Sequence, residues 1–441
     1  VPLELGEPEL VLPEGWKVTE KTADERGPDV SARGGVRFTV QIPADAKKPD
    51  VENEWMYPWP PALVRARLKA KLEGYEFAVE EDVTSQRVTT TRVDDLPLTL
   101  VPAVTLTPEP RQFVVAQNQP QKPIELVARV RHYGSAPAEV TVTLEATGAW
   151  RASGPVRLQF DGAGDQLVKF TVTPPRAPPV GSFPLKLVAR LGPRGVGARR
   201  SEFRTSLEPL VTLPTRLWSE PAVANVRVFD VNVPRGLRVG YVAADNDPIP
   251  ASLRQLGIEV TMLDEAALAF GDLGRFDAIA IGIRAYELRE DLIRANRRLL
   301  DYCAAGGTLV VQYQRDSVWS RWRPAPYPAT VADPTLRVAV EDAPVRLLAP
   351  EHALLNVPNR ISARDFEGWV QERGLYFWGE FDARYTPLLS MNDPGEKETT
   401  GSLVVAQHGR GLYIYTGLSF FRQLPEGVPG AYRLFVNLLS Q

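Results

Sequence analysis

Apolar and polar positions alternate in short bursts from the first residues onward. Val36, Phe38, Val40 and Ile42 are separated by polar partners, the period-two pattern that predicts a half-buried strand. Arg65 to Leu72 reads as one short helix. Between them, Asn53 to Pro61 sets Trp55, Tyr57 and Trp59 among prolines. That composition suits an aromatic surface for a sugar or peptide, and equally a stiff loop pinned down by its Trp side chains. The whole stretch 1–97 is expected to be a β-rich module.

From residue 98 to 207 the alternation becomes regular. Ile124, Leu126, Ala128 and Val130 form one stripe, and Val140, Val142 and Leu144 a second. Val156, Leu158 and Phe160 follow, then Val168, Phe170 and Val172, then Leu185, Leu187 and Ala189. Gly134-Ser135, Gly148, Asp161-Gly162 and Pro174-Pro175 punctuate the stripes. Several short alternating strands with no helical pattern between them predict an immunoglobulin-like β-sandwich. Residues 208–234, broken by prolines, are expected to be a linker.

Over 235–441 the period changes. Leu237 to Ala243 is nearly continuously apolar, Pro250 to Leu256 fits a short helix, and Ile258 to Leu263 and Phe276 to Ile283 fit two more strands. Leu288, Leu292, Ala295, Leu299 and Cys303 then recur at spacings of three and four, one face of a long helix that Gly306-Gly307 stops. Thr308 to Tyr313 makes a fourth strand, Leu403 to Ala406 and Gly411 to Thr416 add β segments, and Ala431 to Leu439 closes with a helix. Strand and helix in alternation predict a doubly wound parallel sheet. The expected fold class is therefore multidomain β plus α/β, with β-sandwich modules followed by a doubly wound, flavodoxin-like domain.

Composition narrows the function classes. A length of 441 residues suggests about three domains, and 40 prolines argue for edges, turns and linkers rather than a helical bundle. A formal net charge of −3 provides no global field for nucleic acid, and no apolar run reaches the ~18 residues of a membrane span. The single cysteine, Cys303, excludes an internal disulfide and a Cys-rich metal site. The chain opens on Val1 with neither an initiator Met nor a signal peptide, as expected after a cleavage or inside a longer chain.

Ligands of doubly wound sheets bind beyond the carboxyl ends of the strands. That points to Asp245, Asn246 and Asp247 after the first strand, Asp264 after the second, Arg284 and Tyr286 after the third, Gln314 and Arg315 after the fourth, and His352 in a loop able to reach the same edge. Of these, Asp245, Asp247, Arg284, Tyr286, Gln314 and His352 are the candidate binding residues. The two acids also suit a plain turn. Arg284 suits an anion or carboxylate clamp covered by Tyr286, and equally an ion pair that ties a loop down. His132 and His408 fall at a strand end and in a hairpin turn, where a structural role is expected. No zinc-ligand spacing, phosphate loop or Gly-x-Ser-x-Gly elbow occurs, so neither catalytic nor metal-ligating residues are assigned.

The third strand and its turn resemble the class I glutamine amidotransferase fold, whose cysteine nucleophile stands within Gly-x-Cys-x-Gly. The matching run is Gly282-Ile283-Arg284-Ala285-Tyr286, in which Arg284 occupies the nucleophile position and Tyr286 replaces the second glycine. Arginine cannot be deprotonated to attack a carbonyl, and Cys303 lies on an apolar helix stripe, so the resemblance covers the fold and not the catalytic apparatus.

A narrower resemblance rests on Leu299 to Tyr302 with Gly306 to Tyr313, on Pro358-Asn-Arg-Ile-Ser-Ala-Arg-Asp-Phe-Glu-Gly-Trp-Val-Gln-Glu-Arg-Gly374, on Tyr385 to Gly395 and on Phe420 to Tyr432. These runs are similar to the C-terminal, non-catalytic region of large bacterial PIG-L/LmbE-type deacetylases. In that family a separate N-terminal domain uses zinc to remove N-acetyl groups from glucosamine-type sugars, with a metal motif that begins His-Pro-Asp-Asp. None of the three histidines here precedes proline, so no zinc ligand carries over and zinc is expected only in the deacetylase domain. The resemblance implies an exported, periplasmic or extracellular, accessory region that binds glycan or docks the deacetylase domain. Two alternatives stand beside it: a structural or assembly subunit of a cell-surface or multi-subunit complex, and a hydrolase built on Asp245, Asp247 and His352.

Overall fold

The computed structural model describes residues 3–24, 35–43, 46, 62–88, 93–119, 121–192, 199–208, 216–244, 246–332 and 335–441. The chain is β-rich and multidomain, with three principal bodies of sheet.

The first is a four-stranded antiparallel sheet in which Arg65–Leu72 is central. Leu3–Leu5 and Glu9–Val11 pair along one side of it and Tyr75–Asp82 along the other. The helix expected over Arg65–Leu72 is thus a strand. Its sequence, Arg-Ala-Arg-Leu-Lys-Ala-Lys-Leu, alternates strictly between charged and apolar residues, a period that no helix face can sort. The two-residue turn that follows fixes the hairpin, because Glu73 and Gly74 both hold positive φ, at 52° and 88°. Lys17–Asp24 pairs with Gly35–Gln41, and Thr84–Val88 with Val93–Pro97, as separate hairpins.

Residues 104–229 form a two-layer sandwich. One sheet runs, in spatial order, Gln112–Ala116, Val223–Phe229, Gly181–Leu191, Ala138–Ala146 and Val156–Phe160; the other runs Arg151–Ala152, Gly164–Thr173, Ile124–His132 and Val104–Glu109. All five predicted stripes contribute to the core between them. The expected linker at 208–234 needs correction. Val223–Phe229 is an inner strand of the first sheet, parallel to Gln112–Ala116 and antiparallel to Gly181–Leu191. Ala222, Ala224, Val226 and Val228 alternate inward and are buried; the prolines flank this strand rather than interrupt it.

The third body is a seven-stranded mixed sheet ordered Glu259–Met262, Arg238–Val242, Ala278–Ile281, Thr308–Gln312, Gly411–Thr416, Leu403–His408 and Thr386–Pro387. The first five are parallel; Leu403–His408 runs antiparallel to them in a hairpin with Gly411–Thr416, and the edge strand Thr386–Pro387 is antiparallel to Leu403–His408. Helices cover both faces. Ile249–Gln255 and Pro429–Leu439 bury their apolar side chains against one face, Glu265–Phe270 and Glu290–Ala304 against the other. The long helix begins later than its stripe suggests. Arg289 is extended (φ −127°, ψ 98°), so Leu288 ends a separate short turn of helix and is exposed, whereas Leu292, Ala295, Leu299 and Cys303 are buried.

The sandwich docks on this α/β body through a shared core. Val114, Ala116, Phe229 and Val231 pack with the closing helix Pro429–Leu439, where the Phe229 and Tyr432 rings lie 5.5 Å apart. Polar groups lock the seam. Asn359 accepts from Asn232 N (2.8 Å), donates to Asn232 O (3.0 Å) and receives Asn437 at its own carbonyl (2.7 Å). Arg433 bonds Asp365 (2.8 Å), Arg360 O (2.8 Å) and Asp230 O (3.1 Å). The Pro358–Gly374 run is therefore a strap: Asn359 and Asp365 hold the seam, Trp369 Nε1 donates to Asp365 O (2.9 Å), and the buried Arg373 ties down the Ala343 and Phe366 carbonyls.

Asn359→Ala removes the partners of the Asn232 backbone N–H and C=O across the seam and one of the bonds to Asn437 Oδ1, and should cost about 1–2 kcal/mol in urea unfolding. Hydrogen exchange should quicken first at Asn232. An exchange pattern unchanged at Asn232 would contradict the strap.

Candidate functional site

The carboxyl edge of the parallel sheet is built around one sharp turn. Ala278–Ile281 ends, Gly282 and Ile283 follow, and Arg284 takes φ 56°, ψ 13° before the short helix Ala285–Leu288. This left-handed conformation is costly for a residue with a long side chain. It persists because the surroundings over-determine it. Arg284 N donates to Tyr313 O (3.0 Å). The buried Gln314 amide accepts from Tyr286 N (3.0 Å) and donates to Gly282 O (3.0 Å) and Gln312 O (2.9 Å). Gly282 has to lack a side chain, because a Cβ there would collide with Asp247 Oδ2. The turn is a sharp strand-to-helix elbow that presents a guanidinium at the sheet edge.

That guanidinium is occupied. Arg284 grips Glu287 through two hydrogen bonds, at 2.8 and 3.0 Å, and Arg315 approaches the same carboxylate at 3.3 Å. The Arg284 hydrogen bond, aided by the charge of Arg315, holds the Glu287 carboxyl below its usual range. Around the trio stand aromatic rings. Tyr313 stacks on Tyr376 at 5.1 Å and meets Phe421 edge-on at 5.7 Å. Burial pushes the Tyr313 hydroxyl up to about 12. Tyr376 is itself in the left-handed region, at φ 55°, with its carbonyl held by Tyr415 Oη at 2.6 Å. Arg422 pairs with Glu372 at 2.7 Å on the far side. Two strained residues, three arginines and a ring stack thus meet at the sheet edge where doubly wound proteins bind ligands.

Asp247 lies on the other side of Gly282. It receives Tyr241 Oη at 2.7 Å and Ile249 N at 3.1 Å, and Gln312 donates in turn to Tyr241 Oη at 2.9 Å. Burial pushes the Asp247 carboxyl above its usual range.

Several sequence expectations are corrected here. Tyr286 does not cover Arg284: its ring is buried in the core and its hydroxyl donates to Asn296 Oδ1 at 2.6 Å. Tyr313 and Tyr376 are the rings beside Arg284. Gln314 is not available to a ligand, since it is buried with both ends of its amide used. His352 caps the 3-10 turn Ala353–Leu355 by accepting from Leu354 N (3.2 Å), in a segment packed on the closing helix, and burial lowers its pKa. No hydrogen bond joins it to Asp247 among the described residues. Asp245, Trp55, Tyr57 and Trp59 lie outside the described residues. Cys303 is buried, and burial pushes its thiol up to about 12, which keeps it protonated and unreactive. Among the described residues, no group of three His, Cys, Asp or Glu side chains is placed to hold a metal ion. No helix among them is long and apolar enough to cross a membrane.

Arg315 was expected at this edge from the sequence; Glu287, Tyr376 and Arg422 were not singled out. The i,i+3 spacing of Arg284 and Glu287 was a usable signal. The placement of Tyr376 depends on tertiary packing, with no local signature.

No protein-family model matches the chain. No curated protein matches it in sequence. Among solved structures, it is similar to Salmonella α-2-macroglobulin, at 13% identity over 38% of this chain and 8% of that one, with a TM-score of 0.19. It is similar to the β-galactosidase from Rahnella sp. R3 at 13% identity, 47% and 32% coverage and a TM-score of 0.28. An exo-β-1,4-mannosidase from Opitutaceae bacterium strain TAV5 matches at 9% identity, 47% and 35% coverage and a TM-score of 0.25. Likenesses this distant carry no functional information.

Because its folded pKa is depressed, Glu287 contributes stability that is present above the ordinary carboxylate range and lost as pH falls through the folded pKa. Glu287→Gln should therefore lower the melting temperature at neutral pH and have little effect near pH 3. The neutral-pH loss is about 1 kcal/mol, since the pair is partly exposed. An equal loss at both pH values would show that packing, not the ion pair, matters at this position.

Proposed function

We propose that this chain is a non-catalytic accessory region of a PIG-L-type sugar deacetylase, acting as a platform that docks a zinc deacetylase domain and holds glycan near it. One observation carries the reading. The turn at which an amidotransferase-like fold would present its nucleophile presents Arg284 instead, already bonded to Glu287. With Cys303 buried and His352 used as a cap, the described residues place no free nucleophile–base pair at this edge.

Two further features support the platform reading. Of the runs similar to the deacetylase family's C-terminal region, Pro358–Gly374 is the strap and Phe420–Tyr432 leads into the closing helix, so part of the resemblance lies in what joins the sandwich to the α/β body. The ring stack Tyr313–Tyr376–Phe421, flanked by Arg284 and Arg422, has the chemistry to stack a sugar face and hydrogen-bond its hydroxyls. Export follows from the family resemblance and belongs to the same proposal. The immunoglobulin-like and amidotransferase-like labels likewise rest on strand order and on the elbow.

A second reading, a structural or assembly subunit, is favoured by the exposed apolar side chains of the amino-terminal sheet.

The first reading predicts that the isolated chain, supplied with zinc, releases no acetate from N-acetylglucosamine oligosaccharides. It also predicts that Arg284→Ala weakens retention on the same immobilised sugars several-fold. Zinc-dependent acetate release by this chain alone would overturn it, and sugar retention untouched by Arg284→Ala would remove the glycan arm.

A further inference from the structure

The amino-terminal sheet separates its side chains largely by face, with Val11 and Ala78 the apolar residues on its charged side. Register places Leu3, Leu5, Leu10, Ala66, Leu68, Ala70, Leu72, Tyr75, Phe77 and Val79 on one side, with Glu81 at the rim as the one charge. The other side carries Arg65, Arg67, Lys69, Lys71, Glu9, Glu76 and Glu80. These neutralise one another, with Arg67–Glu80 at 2.6 Å and Arg65–Glu80 at 2.5 Å. A sheet with one fully apolar face has to bury it against another layer. Here that face is in water: Tyr75 is 80% exposed, Leu5 62% and Val79 53%, and Leu3, Leu72 and Phe77 are exposed too.

We infer that this face is a self-association surface, covered by the same face of a second copy of the chain. Two features select this occupant. The first is area. The six exposed apolar side chains present roughly 600 Å² per copy, so two copies facing each other cover on the order of 1,200 Å², the lower bound of a stable specific interface. The second is relief. The edge strand raises a ridge of Tyr75, Phe77 and Val79, while the central strand leaves a trough at Ala66 and Ala70, the latter only 6% exposed between Leu5 and Phe77. A two-fold arrangement sets the ridge of each copy into the trough of the other, as two sheets of a sandwich do. The lone Glu81 stays at the rim and meets water.

Sedimentation velocity of the full chain across the micromolar range tests this, with Phe77→Glu and Val79→Glu as interface variants and Leu167→Glu, on an exposed sandwich position, as control. The expected result is a concentration-dependent dimer weakened at least ~100-fold by either interface variant and unchanged by the control. All these side chains are exposed, so the variants should fold, and circular dichroism melts confirm that they do. A wild-type chain that stays monomeric overturns the inference, as does a dimer indifferent to both variants. A monomer that binds a separately supplied deacetylase domain in a Phe77-dependent manner also overturns it and assigns the face to that partner. None of these outcomes bears on acetate release or sugar retention, so this inference and the accessory-platform reading fail separately.

Discussion

Burial of the closing helix Pro429–Leu439 is the interaction on which the architecture rests. Nine of its eleven residues are buried. Each fully buried aliphatic or aromatic side chain is worth roughly 1.5–3 kcal/mol, and this helix spends that apolar surface in two directions. Leu434, Leu438 and Leu439 share a core with the parallel sheet, while Tyr432 meets Phe229 from the sandwich. Asn437 and Arg433, on the same helix, satisfy the strap and the seam. Two bodies that would otherwise swing about a connector share one core. The site at the sheet edge is therefore carried on a stiff scaffold.

The turn after Ala278–Ile281 is held in its strained conformation by the groups packed around it. Gln314 fixes the turn from below, Gly282 makes room for Asp247, and Arg284 is held in a conformation that few side chains adopt. Such strain is kept where it positions something. What it positions here is a guanidinium locked to Glu287, beside two stacked tyrosines. Asp247 is shifted the opposite way from Glu287: burial raises its carboxyl, and its hydrogen bond from Tyr241 runs into the core.

Much of this was legible in the chain, for identifiable reasons. The five sandwich stripes and the strand–helix alternation after residue 235 are period signals that burial later satisfied. Arg65–Leu72 was misread as a helix, although its strict alternation of charged and apolar residues is a sheet signal. Val223–Phe229 was hidden by flanking prolines. At the edge of the parallel sheet, sequence located Arg284 and Asp247 because ligand edges follow from topology. It gave Tyr286 and Gln314 the wrong role, since whether a polar side chain faces a ligand or pins a backbone depends on tertiary contacts. Glu287 was three residues from Arg284 and within reach of a spacing argument; Tyr376, brought in from a distant loop, was not.

The claim that this chain serves as a platform for a catalytic domain is tested most directly by titrating it calorimetrically with a purified PIG-L-type deacetylase domain bearing the His-Pro-Asp-Asp motif. The account predicts saturable one-to-one association with a negative heat-capacity change, the mark of apolar surface being buried between two folded bodies. A titration without heat at any temperature, under conditions in which both proteins are folded, would contradict it.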